Sequence, residues 1–197
     1  MSLAKRVLLA CVGALLSAGG AIAQSWGAGV TIGAVNDIEH HFAFEDFKPK
    51  DINGSIEFEV QEKVIVRATY GEMRVKGENA GKTVTLAGSG SEITLPDLTN
   101  DIRYATIGVS YQFWEGTFTS GIFGGFGGYK IEPRGVPAEI ANYRDQRETS
   151  LGLHVGVEGG FELIRHLSLM VRLTYHGIRT TSNRSFVNAN TGLTYRF

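Results

Sequence analysis

The chain has 197 residues, 43% of them apolar, with 26 glycines, one cysteine and a formal charge of -1. That length fits one domain, and the near balance of charge argues against a nucleic-acid partner or a polybasic membrane surface. The lone Cys11 excludes an intrachain disulfide and a thiolate metal site.

Lys5 and Arg6 precede an apolar run from Val7 to Leu16, and Ala21-Ile22-Ala23 forms an A-x-A site before Gln24. Residues 1–23 therefore read as a secretory signal peptide removed on export. The run is shorter than the roughly 20 apolar residues a spanning helix needs. Leu8-Leu9-Ala10-Cys11 looks like a lipoprotein box, but cleavage there would leave only Val7 to Ala10 as the apolar run. The mature chain, 24–197, is left without cysteine. No later segment reads as a membrane helix, so a membrane-spanning form must be a closed barrel, which satisfies its backbone groups in lipid.

Eight segments alternate apolar and polar residues with period two, the pattern of a strand with two unlike faces. In 25–35, Trp26, Ala28, Val30, Ile32 and Ala34 oppose glycines and Thr31. In 52–60, Ile56, Phe58 and Val60 oppose Ser55, Glu57 and Glu59. In 64–76, Val64, Val66, Ala68 and Tyr70 oppose Arg67, Thr69 and Gly71, and in 101–113 Ala105, Ile107, Val109, Tyr111 and Phe113 oppose Thr106, Gly108, Ser110 and Gln112. The glycine-rich 117–131 has an ambiguous phase; Phe118, Ile122 and Phe126 are placed outward. In 150–162, Leu151, Leu153, Val155, Val157 and Phe161 alternate with Gly152, His154, Gly156, Glu158 and Gly160. In 166–177, Leu167, Leu169, Val171, Leu173 and Tyr175 oppose Ser168, Arg172, Thr174 and His176. The last strand, 186–197, carries Val187, Ala189, Leu193, Tyr195 and the terminal Phe197 on one face.

Connections 61–63, 114–116 and 163–165 are tight, whereas 36–51, 77–100 and 132–149 are long and polar, with 178–185 between. Short turns on one rim and long loops on the other, joined by strands of about ten residues, are the pattern of an outer-membrane barrel with its long loops outside. A soluble lipocalin-like barrel would show the same alternation inside out. Three features favour the membrane form. Trp26, Tyr111, Phe113, Trp114, Phe161, Tyr195 and Phe197 gather at the short-turn rim like an interfacial girdle. Opposite charges on the polar face fall where they can pair. Glycines concentrate on that face, as a narrow lumen requires.

The layout resembles the small eight-stranded bacterial outer-membrane barrels, the class of OmpX and the OmpA membrane domain. The resemblance covers the mature chain as pattern, with the aromatic-terminated last strand as its one motif-like match. It implies an all-β, eight-stranded antiparallel up-and-down transmembrane β-barrel in the outer membrane. It further implies Tyr195 and Phe197 as the signal read by the barrel assembly machinery, with outer-membrane lipids as surroundings; unlike full-length OmpA, the chain is expected to end at the barrel, without a peptidoglycan-binding domain.

For the interior, a three-residue turn at 61–63 makes Val60 face Val64 and Glu57 face Arg67. A turn at 163–165 makes Glu162 face His166 and sets Glu158 diagonal to Arg172, within reach of long side chains. Glu57, Glu59, Arg67, His154, Glu158, Arg172 and His176 are therefore expected to form a structural polar network. An eight-stranded barrel has room only for its own side chains, and interior charge needs partners. His154, Glu158, Ser168 and His176 offer the residue types of a hydrolytic set, such as a lipid A deacylase would use. The His-x-Ser match, His166-Leu167-Ser168, sits at the rim away from the outer leaflet and points into the lumen. Glu39, His40, His41, Glu45 and Asp46 match no specific metal site, and the glycines of 121–128 lack the lysine and helix of a phosphate loop. No catalytic residue, metal or cofactor is expected. The activity is expected in the long loops, towards an extracellular ligand or in envelope support.

Overall fold

The period-two alternation is realised as strands throughout. The computed structural model describes residues 25–38, 50–76, 83–85, 90, 92–94, 99–114, 116–134, 148–180 and 184–197. The signal peptide and the Glu39–Asp46 cluster lie outside these. The strands are β1 (Ser25–Asp37), β2 (Asp51–Gln61), β3 (Val64–Lys76), β4 (Thr83–Thr85), β5 (Glu92–Thr94), β6 (Thr99–Trp114), β7 (Phe118–Arg134), β8 (Glu148–Ile164), β9 (Leu167–Ile178) and β10 (Arg184–Arg196). All but β4 and β5 close into one antiparallel up-and-down barrel, with β10 paired to β1. β4 and β5 form a separate two-stranded sheet within the β3–β6 connection, which the alternation did not reveal. Among the described residues no helix is long and apolar enough to cross a membrane, and crossing falls to the strands.

The pairing is staggered, as closure of a tilted sheet demands. From Glu72 near the top of β3, the register passes through Ile52, Ile32, Thr191, Val171 and Gly159 to Ser120 near the foot of β7.

The tight turns differ from expectation, and the difference resets one register. Gln61, not Val60, pairs with Val64, and Ile164 pairs with Leu167. Both turns have two residues and end on a left-handed residue, Lys63 (φ 69°) and His166 (φ 72°). Each follows an irregularity in the preceding strand, between Glu59 and Gln61 and between Glu162 and Ile164, where one extra residue is absorbed as a bulge. In β2–β3 the bulge cancels the turn difference, and Glu57 still faces Arg67. In β8–β9 it does not. Glu162 faces Ser168 rather than His166, and Glu158 lies directly opposite Arg172 rather than diagonal to it. The strands also run further than the spacing predicts, taking in Asp51, Asn100, Glu132 and Glu148 from segments read as loops.

The apolar phase faces outward. Val30, Ile56, Val109, Leu153, Val155 and Val171 are exposed on the outer wall, as are Phe118, Ile122 and Phe126 of the ambiguous strand. All seven girdle aromatics are exposed too. Trp26 stacks on Phe197 at 3.8 Å between ring centroids, and Tyr195 meets Phe197 edge-on at 4.9 Å, joining the first and last strands.

Towards the long-loop rim the two faces exchange character. On β3 the outward sequence Val66, Ala68, Tyr70 gives way to Glu72 and Arg74, while the inward sequence Arg67, Thr69, Gly71 gives way to Met73 and Val75. On β6, Asp101 and Arg103 point outward and Ile102 and Tyr104 inward. On β7, Lys130 and Glu132 alternate with the inward Tyr129 and Ile131. The inward side chains, with Val35, Ile178 and Phe186, form one buried apolar cluster. Outside the hydrocarbon layer the barrel stands in water and takes the apolar-in pattern of a soluble one. The exchange marks the upper edge of the apolar belt.

Glycines make room for the lumen's large rings. A Cβ on Gly71 would lie 2.6 Å from Tyr104 and 2.7 Å from Asn53, whereas one on Gly128 would meet nothing within 4 Å. Gly71→Ala is therefore expected to cost about 1–3 kcal/mol by overpacking, and Gly128→Ala to change stability little. Urea titration of both in lipid vesicles checks the contrast.

Candidate functional site: the barrel lumen

Three layers fill the interior. In the lowest, Glu57 on β2, Arg67 on β3, Glu158 on β8 and Arg172 on β9 close a four-membered ring of alternating charge. Arg67 Nε donates to Glu57 Oε1 at 2.8 Å and Arg67 Nη2 reaches Glu158 Oε2 at 2.8 Å. Arg172 Nη2 reaches Glu57 Oε1 at 2.7 Å and Arg172 Nε reaches Glu158 Oε2 at 3.1 Å. Ser110 Oγ donates to Glu158 Oε1 at 2.5 Å, and the Arg67 guanidinium lies 5.6 Å from the Phe123 ring centroid. All four charged side chains are buried. Two cations and two anions with every carboxylate doubly engaged is the arrangement that offsets desolvation in a low-dielectric interior.

Above the ring lies a carboxylate from a segment expected to be a loop. Asp51, fully buried, accepts from Tyr104 Oη at 3.0 Å, Asn188 Nδ2 at 3.1 Å, Asn53 Nδ2 at 3.3 Å and Asn190 Nδ2. Thr31 Oγ1 in turn donates to Asn53 Oδ1 at 2.8 Å. Neutral donors converging from β2, β6 and β10 take the place of a cation. Between this layer and the ring is a cavity of about 40 Å³ lined by Asp51, Tyr104, Arg67, Arg172, His154 and His176 among others. The apolar cluster forms the third layer, towards the long-loop rim.

The other expected network members are placed apart from the ring. His176 Nδ1 shares a hydrogen bond of 2.9 Å with Tyr129 Oη, and its ring lies 6.1 Å from that of His154. His154 Nδ1 has no hydrogen-bond partner. Glu59 is half-buried near the foot of β2 and accepts from Ser25 Oγ at 2.7 Å. The hydrolytic set is not assembled: Ser168 faces Glu162 and Thr194, well down β9 from His176, which faces His154. Glu158 is held in the ring. Among the described residues no group of three or more His, Cys, Asp or Glu is placed to hold a metal.

The profile of the outer-membrane protein β-barrel domain matches residues 7–197, nearly the whole chain. The chain belongs to that family. It is an outer-membrane protein of a Gram-negative type, which rules out the soluble lipocalin-like form. Comparison with curated proteins gave no match. Among solved structures the barrel is similar to the N-terminal β-barrel domain of Pseudomonas aeruginosa OprF, with a TM-score of 0.54 at 11% identity over 87% of this chain and 97% of that one. It is similar to Neisserial surface protein A, with a TM-score of 0.53 at 12% identity over 88% and 96%. It is also similar to Ail, the attachment invasion locus protein of Yersinia pestis, solved with the heparin analogue sucrose octasulfate. That comparison gives a TM-score of 0.51 at 14% identity over 88% and 97%. At these identities the likeness is one of fold.

Proposed function

We propose that this family member is a closed, non-catalytic barrel that acts through the connections of its long-loop rim, in adhesion or surface recognition. The observation that carries the reading is the filled lumen. A four-charge ring, an amide-bound carboxylate and an apolar layer occupy successive levels, leaving the rim as the surface on which sequence is free to serve recognition. The same architecture in Ail, by name an attachment and invasion protein, supports it. The test replaces segments 77–98 and 135–147 with tight turns and compares adherence of producing cells to matrix-coated surfaces. The barrel is expected to keep heat-modifiable migration while adherence falls. Unchanged adherence, with envelope leakage corrected by the loopless barrel, would instead assign an envelope-support role.

Within this reading the lumen ring is structural, and Tyr195 with Phe197 is the assembly signal. Both aromatics face outward at the foot of β10. Deleting Phe197, or changing it to Asp, is expected to leave signal cleavage intact and reduce outer-membrane assembly, measured as the heat-modifiable fraction in isolated outer membranes. Normal assembly of both variants would remove the role.

A further inference from the structure

The exchange of faces at the upper edge of the apolar belt leaves one charged sector on the outer wall, carried by β3, β6 and β7, with Lys50 at the head of the neighbouring β2 beside Arg74. It lies where a neighbouring lipid places its headgroup, since the residues one step below it on the same face, Tyr70 and Ala105, are exposed on the apolar belt. The top outward positions of β1, β8, β9 and β10 carry Ala34 and Asn36, Thr149 and Leu151, Tyr175 and Gly177, and Ser185 and Val187, none of them charged. The sector is a property of one side of the barrel.

Its charges are layered. Arg74 Nε bonds Asp101 Oδ1 at 2.7 Å, and Arg134 Nε bonds the other oxygen of the same carboxylate. The Asp101 side chain is 1% exposed beneath them, while those of Arg74 and Arg134 are 52% and 57% exposed. Alongside, Arg103 bonds Glu72 at 3.4 Å and Lys130 bonds Glu132 at 2.8 Å. Two guanidiniums share one buried carboxylate, so the Arg74–Asp101–Arg134 unit has a net positive charge. Its anion is underneath and its cations are on the surface. Arg74 Nη2 also lies 3.5 Å from Asp101 Oδ2, so a group approaching from the side meets the remaining N–H donors of two planar guanidiniums, groups suited to engaging phosphate.

We propose that this sector binds the phosphate of a phosphorylated glycolipid in the outer leaflet, with Arg74 and Arg134 as the phosphate ligands and Asp101 as the residue that positions them. Basic pockets at headgroup height are a recognised means of holding anionic lipids. A lipid is the source, rather than a free anion, because the site faces sideways, immediately above the apolar belt that seats the acyl chains.

The test is native mass spectrometry of the full mature barrel refolded in neutral detergent. The probes are bisphosphorylated lipid A and its dephosphorylated form with the same acyl chains. Retention of the phosphorylated form is expected to exceed that of the other by about tenfold or more. Arg74→Gln/Asp101→Asn/Arg134→Gln, which removes the charges without stranding the buried carboxylate, is expected to abolish the preference. Arg165→Gln/Arg196→Gln, a loss of two cations at the opposite rim, should keep it. Heat-modifiable migration verifies folding, and Arg134→Gln alone, with Arg74 still on Asp101, should give an intermediate preference if the triple variant does not fold. Equal retention of the two lipids, a preference that survives in the folded variants, or full displacement by millimolar inorganic phosphate would each overturn the proposal.

Discussion

Replacing Arg67 with Leu is expected to destabilise the barrel by about 3–5 kcal/mol, the cost of breaking a buried pair from one side. Arg67 bonds both Glu57 and Glu158, as Arg172 does from the opposite wall, and its loss would leave two buried carboxylates facing Arg172 alone. Most of the cost is stranded charge rather than lost attraction. Adding Glu158→Gln to Arg67→Leu should therefore recover part of the loss, giving a non-additive double-mutant cycle. Equilibrium urea unfolding in lipid vesicles measures it. Additive effects would mean that the four residues do not act as a unit.

An Arg at Val155 is expected to cost about 2–4 kcal/mol, the value for a charge on the lipid face near the bilayer midplane. Val155 is 57% exposed on the outer wall and flanked in register by Gly124 and Tyr175. Neither neighbour offers a counter-charge. The sharper comparison uses adjacent residues of β9. Leu169 faces lipid, whereas Met170 is buried in the lumen beside Gly160. Leu169→Gln should cost clearly more than Met170→Gln in the same titration. The reverse order would contradict the assignment of faces.

The phase of every barrel strand was legible in the sequence, because lipid outside and a crowded polar lumen inside impose opposite chemistry on successive residues. Even the glycine-rich β7 resolved as expected once Phe118, Ile122 and Phe126 were taken together. The facing of Glu57 and Arg67 was legible for the same reason. The register of β8 on β9 was not. Nothing in Leu163-Ile164-Arg165-His166 marks the centre of the turn: it falls one residue later than expected, which shifts the pairing by two, and His166 gives no glycine or proline signal of its left-handed backbone. Asp51 and the inward apolar layer were missed for another reason. A single rule, apolar outward, was carried along whole strands, yet it reverses where β3, β6 and β7 leave the hydrocarbon layer. Met73, Val75, Ile102 and Ile131 then look misplaced, and the polar residues between them look like loop. Read instead as a change of solvent, the same residues show where the membrane ends.

Ion conductance of the purified mature protein in planar lipid bilayers tests the central claim most directly. With the ring, the Asp51 layer and the apolar cluster filling the lumen, the account predicts no large, steady, porin-like current. Stable channels that also pass sugars in a liposome-swelling assay would contradict it, and would move the activity from the loops to the pore.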